Sequence, residues 1–253
     1  MSQFSIIIIT KNAAPHIKAC LSSVQWADEI IVVDCGSTDN TVALCYLFTN
    51  KIFITPDWPG FGVQKNRALG KATGKWVLSI DADEQVTPTL QQEIKASITN
   101  PNYTAFRVPR HSFYCGRWIK HSGWSPDYVT RLFRRDSASF SDDLIHEKVQ
   151  VFQGQIGTLT APLLHYSFSS LEEVLEKINS YSSANAIKYL AQGQKSSLTK
   201  AILHGLWAFV RTYFLKVGFL DGREGFMLAV SNAEGTYYRY LKLLYLQKEN
   251  ESI

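Results

Sequence analysis

The chain has 253 residues, of which 45% are hydrophobic, so it can fold as one large α/β domain or as one domain with an appendage. Its formal net charge of +4 is small for this length, which argues against a dedicated nucleic-acid binder, and we expect no nucleic-acid partner. The four cysteines show no paired CxxC spacing and predict buried thiols in a reducing compartment, with neither disulfides nor zinc. They are Cys20, Cys35, Cys45 and Cys115.

The distribution of apolar residues predicts a cytoplasmic protein. No basic segment precedes the first apolar run, and that run, residues 6–9, is too short for the core of a signal peptide. The longest apolar region, residues 201–220, is interrupted by His204, Arg211 and Lys216. It therefore falls short of the roughly 20 mostly apolar residues of a transmembrane helix, although it can still lie on a membrane surface.

The first hundred residues alternate between predicted strands and predicted helices. The strands are β-branched runs without alternation, the pattern of strands buried on both faces of a parallel sheet. They cover residues 5–9, 29–33, 51–54 and 76–80, with helices predicted over 14–26 and 62–71. This order predicts right-handed crossovers and a doubly wound α/β sheet, in which ligands bind beyond the carboxyl ends of the strands.

The remainder of the chain has a different pattern. Residues 101–165 are rich in aromatic side chains and arginine and contain Gly and Pro breaks, which predicts short strands and loops over the sheet. Residues 170–190 and 197–246 return to helical spacing, with Leu171, Val174, Leu175 and Ile178 predicted on one apolar stripe.

Asp34, directly after the predicted strand 29–33, is the first candidate site residue. Gly36 permits a tight turn and Ser37 can cap the following helix, so structure alone explains part of this segment. A carboxylate at the carboxyl end of a parallel strand is also well placed to accept hydrogen bonds from a base or a ribose. We therefore predict that Asp34 binds a ligand.

Two further carboxylates, Asp81 and Asp83, directly follow the strand predicted over residues 76–80. They repel each other unless a cation lies between or beside them. Hard oxygen ligands suit Mg²⁺ or Mn²⁺, which usually keep water ligands and bridge to substrate phosphates. An acidic turn that caps a helix starting near Pro88 is the structural alternative. We favour the metal site because the pair follows a buried strand in a sheet of this order.

Four segments of the first hundred residues match a known family pattern in order and spacing. They are Ile8-Ile9-Thr10-Lys11-Asn12, Val33-Asp34-Cys35-Gly36-Ser37-Thr38-Asp39, Lys65-Asn66-Arg67-Ala68-Leu69 and Asp81-Ala82-Asp83-Glu84. The pattern resembles glycosyltransferase family 2. That resemblance implies the A-type glycosyltransferase fold, which is Rossmann-like with a mostly parallel sheet flanked by helices, and transfer that inverts the anomeric centre. A C-terminal helical extension follows it here.

The resemblance also implies roles for individual residues. Asp83 reaches a divalent metal, Mg²⁺ or Mn²⁺, while Asp81 lies beside the ribose of a UDP-sugar donor. His165 is a further candidate ligand of the metal, although a lone histidine is more often a hydrogen-bonded structural residue. Cys35 departs from the pattern, since many members carry a second aspartate there, and this bears on selectivity for the base. The residues implied to bind substrate are Thr10, Asn12, Asp34, Gly36, Ser37, Lys65, Asn66, Arg67, Asp81 and Arg131.

Motifs in the second half resemble the lipopolysaccharide core branch of that family. They include Gly116-Arg117-Trp118-Ile119-Lys120-His121, Ile145-His146-Glu147 and Pro162-Leu163-Leu164-His165-Tyr166. Enzymes of this branch add a hexose, often glucose, to an inner-core heptose carried on lipid A. The resemblance thus implies a nucleotide-sugar half (residues 1–100), an acceptor half (101–168) and a helical segment (169–253). It also implies a lipid A-core acceptor and a peripheral location on the inner face of the bacterial inner membrane.

An inverting transfer needs a base that deprotonates the acceptor hydroxyl. Glu147 is the first candidate because of its loop position and its neighbour His146, and Asp127 is the second. Either carboxylate can instead be an ordinary ion-pair partner of a nearby cation. The cations considered are Arg131, Arg134 and Lys148.

The C-terminal segment combines a broad apolar surface with interspersed basic residues over 200–219. This pattern fits an interfacial helix on anionic lipid and equally a helix packed on the catalytic domain. We favour membrane contact because the implied acceptor is carried on a lipid.

Three other functions compete with this interpretation. A nucleotidyltransferase is disfavoured because residues 10–14 do not form a glycine-rich phosphate loop. A catalytically inactive sugar-nucleotide-binding protein is disfavoured because both Asp81 and Asp83 are retained. Transfer to another cell-envelope glycan remains a third alternative.

Overall fold

The computed structural model of the chain describes residues 3–141 and 147–251. In these ranges the strands are β1 (Phe4–Thr10), β2 (Glu29–Asp34), β3 (Ile52–Ile54), β4 (Trp76–Asp81), β5 (Glu84–Val86), β6 (Tyr103–Tyr114), β7 (Arg117–Trp118), β8 (Asp127–Arg134), β9 (Ala138–Phe140), β10 (Val149–Val151), β11 (Gln155–Thr158) and β12 (Leu163–Phe168). The α-helices are α1 (Ala14–Ser22), α2 (Thr41–Cys45), α3 (Phe61–Leu69), α4 (Pro88–Ser97), α5 (Leu171–Ala191), α6 (Leu198–Val210) and α7 (Gly222–Glu251).

The first four strands form the predicted parallel sheet in the order β3-β2-β1-β4. Every residue of β1 and β2 is buried. Ile6 and Ile8 belong to one hydrophobic cluster, whereas Ile7 and Ile9 belong to another, so alternate residues of β1 pack into opposite faces of the sheet. This double burial explains why the strands read as unbroken apolar runs.

The sheet continues beyond β4 as a mixed sheet, in which most pairs are antiparallel and β11 pairs parallel with β6. β8 pairs antiparallel with β4, and β6 pairs antiparallel with β8. β12 and β5 follow in the strand order and pair antiparallel with each other. The sheet is therefore mixed, and its first four strands form the parallel part that was expected. Instead of lying over the sheet as short pieces, residues 103–114 form one 12-residue strand within it.

The chain divides into two compact units. Unit 1 contains residues 1–110 and 127–165, and unit 2 contains residues 111–126 and 166–253. In unit 2, Asp221 is buried and accepts hydrogen bonds from the backbone N–H of Lys120 and His121, both at 3.0 Å, and from Ser122 Oγ at 2.9 Å. These bonds tie the segment 120–122 to the start of α7, which accounts for its place with the C-terminal helices.

The region 197–246, which the sequence pattern predicts to be helical, is interrupted in the structure by two turns. A π-helical turn (Arg211–Leu215) and a 3₁₀ turn (Gly218–Asp221) separate α6 from α7. Val217 lies in the left-handed region, with a φ of +48°, which a continuous right-handed helix does not contain, so α6 and α7 cannot form one helix.

The apolar stripe predicted on α5 is only partly buried. Val174 is buried and Ile178 packs against the same cluster, whereas Leu171 and Leu175 are exposed. Helical spacing alone therefore predicts more buried residues on α5 than the structure shows.

The cysteines are free thiols, as predicted. Cys20, Cys35 and Cys45 are buried, and burial raises the pKa of the Cys45 thiol to about 11. Cys115 differs from the prediction because it is only half-buried. Within the described part of the chain, no helix is both long enough and apolar enough to cross a membrane.

One carboxylate, Glu29 at the start of β2, connects four segments of unit 1. Its side chain is 2% exposed and pairs with the ammonium of Lys51. It also accepts hydrogen bonds from Ser5 Oγ, from the backbone N–H of Thr73 at 2.9 Å and from Thr73 Oγ1 at 3.0 Å. Burial by itself raises the pKa of this carboxyl, but these partners outweigh it and lower the pKa from 4.5 to about 2.

Glu29→Gln should lower the free energy of unfolding at neutral pH by about 3 kcal/mol, the equivalent of the pKa shift. Because the folded pKa lies below the unfolded one, this stabilisation is present above about pH 4.5 and is lost as the pH falls towards 2. Urea unfolding at stepped pH values should therefore show a shallower acid loss for the variant than for the wild type. Glu176→Gln, at an exposed position on α5, is the control, and equal acid slopes for all three proteins would contradict the assignment.

Candidate active site

The loops after β1 and β2 hold each other at the carboxyl ends of these strands. Asp34 is buried, and its carboxylate accepts hydrogen bonds from the backbone N–H of Gly36 at 3.0 Å and of Ser37 at 2.8 Å. The backbone N–H of Asn12 donates to Ser37 Oγ at 2.8 Å, and Asn12 Oδ1 accepts from the N–H of Thr38 at 2.8 Å. Gly36 has a φ of +78°, so its turn requires the freedom that glycine provides.

Thr10 ends β1 next to these loops. The residue is buried, and among the described residues its hydroxyl oxygen has no hydrogen-bond partner. Buried polar atoms are normally paired, so an unpaired hydroxyl at the carboxyl end of the central strand is a candidate ligand contact.

Helix α3 carries Lys65 into the interior of unit 1. The Lys65 side chain is 2% exposed, and its Nζ lies 2.8 Å from Asp81 Oδ1 and 2.6 Å from Glu147 Oε1. An ammonium group is costly to bury unless it is paired, and here it is paired twice. Lys65 thus brings together Asp81, predicted to lie beside the donor, and Glu147, the first candidate base.

The same aspartate is paired with a second cation. Arg131 on β8 contacts Asp81 Oδ2 and lies 2.9 Å from Glu84 Oε1. Burial alone raises the pKa of the Asp81 carboxyl, but Arg131 and Lys65 outweigh it and hold that pKa well below its usual range. Burial lowers the pKa of the Arg131 guanidinium, but Asp81 and Glu84 outweigh it and raise that pKa. Both groups therefore carry their full charges.

Arg110 extends this network on the other side of Glu84. Its guanidinium lies 3.5 Å from Glu84 Oε1 and 2.7 Å from Asp127 Oδ2. Acidic and basic side chains therefore alternate along one chain of ion pairs, which we call the charge relay of unit 1. In order it contains Glu147, Lys65, Asp81, Arg131, Glu84, Arg110 and Asp127.

The two candidate bases occupy the two ends of the charge relay. Glu147 pairs with Lys65 and Asp127 pairs with Arg110, so neither pairs with the cations that the sequence suggested. Their side chains are 16% and 32% exposed, respectively. Ile145 and His146, which complete the motif around Glu147, lie outside the described residues.

Asp83, the first predicted metal ligand, lies beside His165. His165 Nε2 is 3.4 Å from Asp83 Oδ2, and the two side chains are 14% and 32% exposed. A carboxylate oxygen and an imidazole nitrogen at this separation suit a divalent metal that receives its other ligands from phosphate and water. Both oxygens of Asp81 contact cationic side chains, so Asp81 faces Lys65 and Arg131. No group of three or more His, Cys, Asp or Glu side chains that could hold a metal ion is found within residues 3–141 and 147–251.

Two predicted substrate-binding residues have structural partners within unit 1. Asn66 exchanges two hydrogen bonds of 2.9 Å with the backbone of Phe140, which attaches α3 to β9. Arg67 makes a bidentate pair with Asp57 at 2.8 and 2.7 Å. Neither residue joins the charge relay.

The sequence analysis assigned no role to Glu84 and did not predict that Arg110 pairs with it. Glu84 is fully buried and also accepts a hydrogen bond of 2.9 Å from the backbone N–H of Asp81. The available signal was its position in the acidic segment, three residues after Asp81. Because a buried carboxylate needs a cationic partner, burial of Glu84 implies a nearby Arg or Lys. No sequence pattern identifies Arg131 and Arg110 as those partners, because they come from strands β8 and β6.

Comparison with known proteins places the chain in one family. The family described as Glycosyl transferase family 2 matches residues 5–157. An uncharacterised glycosyltransferase of Rickettsia prowazekii is 32% identical over 100% of this chain and 90% of its own length. The lipopolysaccharide core biosynthesis glycosyltransferase LpsC of Rhizobium meliloti is 29% identical over 90% of this chain and 87% of its own length. S. aureus TarS 1–349 is similar in structure, with a TM-score of 0.51 and 19% identity over 97% of this chain and 92% of that chain.

The sheet order, the carboxylates beyond β4 and these similarities define a glycosyltransferase with the A-type fold. The chain belongs to glycosyltransferase family 2 and is similar to a lipopolysaccharide core enzyme. The predicted family and fold are thus confirmed.

Arg131→Met should destabilise the protein by about 3 to 5 kcal/mol, because it removes the nearer cation from the fully buried Glu84 carboxylate and leaves it only Arg110, at 3.5 Å. Urea unfolding at neutral pH measures the loss. Arg135→Met, which removes the partner of exposed Asp136, is the matched control and should cost less than about 1 kcal/mol. Equal losses for the two variants would mean that the buried pairing contributes nothing beyond a surface ion pair.

Proposed function

We propose that this enzyme transfers a hexose from a UDP-sugar to an inner-core heptose of lipopolysaccharide with inversion at the anomeric carbon. The observation that carries the proposal is the double ion pair of Lys65. The Lys65 ammonium contacts both Asp81, at the carboxyl end of β4, and Glu147, the carboxylate that we propose as the base. The residue proposed to lie beside the donor and the residue proposed to deprotonate the acceptor therefore contact the same buried ammonium group.

The donor site that we propose lies at the carboxyl ends of β1, β2 and β4. Thr10 contributes a hydroxyl that has no partner among the described residues, and Asp34 keeps the loop after β2 in a fixed shape. Asn12, Gly36 and Ser37 complete this loop pair. TarS, which has the same fold, has been crystallised with UDP-GlcNAc, and this supports a UDP-sugar as the donor class. UDP-glucose is the first donor to test.

Asp83 and His165 are the residues that we propose hold a divalent metal, Mg²⁺ or Mn²⁺. Such an ion stabilises the negative charge that grows on the leaving diphosphate. Asp81 contributes differently, since it positions Lys65 and Arg131 beside the donor.

Glu147 is the base that we propose for the acceptor. The acceptor hydroxyl gives its proton to the Glu147 carboxylate while its oxygen attacks the anomeric carbon from the face opposite the diphosphate. The bond from that carbon to the diphosphate oxygen breaks, and the electron pair leaves with the nucleotide diphosphate. Lys65 fixes the position of Glu147 through a contact of 2.6 Å.

The similarity to LpsC supports lipopolysaccharide core as the acceptor class. A lipid A-core acceptor implies that the enzyme works at the cytoplasmic face of the inner membrane. A catalytically inactive sugar-nucleotide-binding protein is the alternative, and hydrolysis or transfer of a donor panel separates the two.

Asp83→Asn should lower the transfer rate by about a hundredfold or more while the protein stays folded, because the substitution removes a charge with little change of volume. EDTA should have the same effect on the wild type, and added Mn²⁺ or Mg²⁺ should reverse it. The measurement is transfer rate against metal concentration. Asp136→Asn, at a surface ion pair, is the control, and full wild-type activity in EDTA would falsify the metal-dependent mechanism.

Glu147→Gln should lower kcat by about 10²- to 10⁴-fold and leave donor affinity intact, since glutamine keeps the shape but cannot accept the proton. Asp127→Asn makes the same chemical change at the other end of the charge relay and should cost much less. Donor affinity by calorimetry and kcat on a core oligosaccharide are measured for both variants. If the losses are reversed, Asp127 is the base.

A further inference from the structure

Helix α6 of unit 2 packs its small residues inward. Ala201, Gly205 and Ala208, at helical spacing, are buried. A Cβ added to Gly205 would lie 3.2 Å from Tyr237 Cβ and 3.3 Å from the carbonyl oxygen of Ala233, so α6 lies very close to α7 at this point. The packed face of α6 is therefore made of its smallest side chains.

The opposite side of α6 carries large apolar side chains into solvent. They recur at the spacing of one helical face, and further apolar residues follow through the two turns into α7. We call this set the apolar face of unit 2; its members are 37% to 61% exposed. It comprises Leu198, Ile202, Leu203, Leu206, Trp207, Val210, Phe214, Leu215, Val217, Phe219, Leu220 and Phe226.

This arrangement is the reverse of a water-facing helix, which buries its large apolar side chains and exposes polar ones. Proteins that remain monomeric in water rarely expose an apolar surface of this extent. The apolar face of unit 2 therefore requires an occupant.

The charged side chains exposed between members of this face are basic, since Asp221 and Glu224, which lie between Leu220 and Phe226, are buried. Residues 177–220 contain no Asp or Glu, although the whole chain has 22. The same stretch contains six basic residues, and Arg211 and Lys216 are exposed between members of the apolar face. The six are Lys177, Lys188, Lys195, Lys200, Arg211 and Lys216.

We infer that the apolar face of unit 2 docks on the surface of an anionic lipid bilayer. The apolar side chains enter the interfacial region, and the basic side chains reach the lipid phosphates. A second copy of the chain fits less well, because a two-fold contact would bring the same positive stretch against itself. The inference deepens the proposed function and rests on it for the source of the lipid, since a lipid-borne acceptor brings the enzyme to a membrane.

Vesicle flotation with the full chain tests the inference. The protein should float with vesicles of phosphatidylcholine and phosphatidylglycerol and should float far less with phosphatidylcholine alone. Added salt should release it, because each basic residue near the surface contributes about fivefold in affinity. Equal recovery with the two vesicle types would overturn the electrostatic part of the inference and with it the choice of partner.

Variants locate the contact. Leu206→Ser and Trp207→Ser should each weaken vesicle binding by about tenfold or more. Leu47→Ser and Phe152→Ser are matched controls, because these unit 1 residues are 68% and 65% exposed and should leave binding unchanged. Arg211→Gln should weaken binding to the anionic vesicles, whereas Lys18→Gln in unit 1 should not. Equal losses for test and control variants would refute the assignment of the face.

Two further measurements separate the remaining outcomes. If light scattering shows a dimer that Leu206→Ser dissociates, and vesicles do not bind, a second copy occupies the face and the inference is wrong. Transfer to a lipid-free core oligosaccharide should be the same for Leu206→Ser and the wild type. Vesicle binding without transfer to any acceptor would refute the proposed function while leaving the membrane contact intact.

Discussion

The site depends on the compensation of two carboxylates, Asp81 at the end of β4 and Glu84 at the start of β5. Glu84 is fully buried and Asp81 has both of its oxygens engaged, so their charges must be balanced inside the protein. Lys65, Arg131 and Arg110 provide this balance from α3, β8 and β6. Burying ionised groups is favourable only when their geometry and hydrogen bonds are good. The charge relay consequently restricts how α3 and the antiparallel strands can sit against the parallel half of the sheet.

The same compensation determines where each chemical role can reside. A carboxylate with cations on both of its oxygens is a poor place for a further metal ion, and this separates Asp81 from Asp83 although only one residue lies between them. Asp83 has the imidazole of His165 as a neighbour instead. The repulsion that the sequence pattern indicated is thus relieved at Asp81 by protein side chains.

The parallel half of the fold could be predicted from the sequence because its signal is local. Residues 6–9 and 30–33 are β-branched and apolar without alternation, the pattern of strands covered on both faces. The antiparallel half and the charge relay could not be predicted in this way. Lys65 and Glu147 are 82 residues apart, and nothing in the spacing of either identifies the other as its partner. Asn66 illustrates the converse, since it belongs to a family motif and yet bonds to the backbone of Phe140.

Helix α6 shows a further limit of periodicity. A 3.6-residue repeat identifies two faces of a helix but does not say which face is covered. In α6 the decision follows from the size of the side chains. Gly205 and its small neighbours allow α7 to approach to a distance that Leu206 or Trp207 would prevent. The large side chains are thereby left outside, and the charged side chains exposed between them, Arg211 and Lys216 among them, are basic. Size and charge together, rather than hydrophobicity alone, distinguish a helix face that completes a core from one that needs a partner.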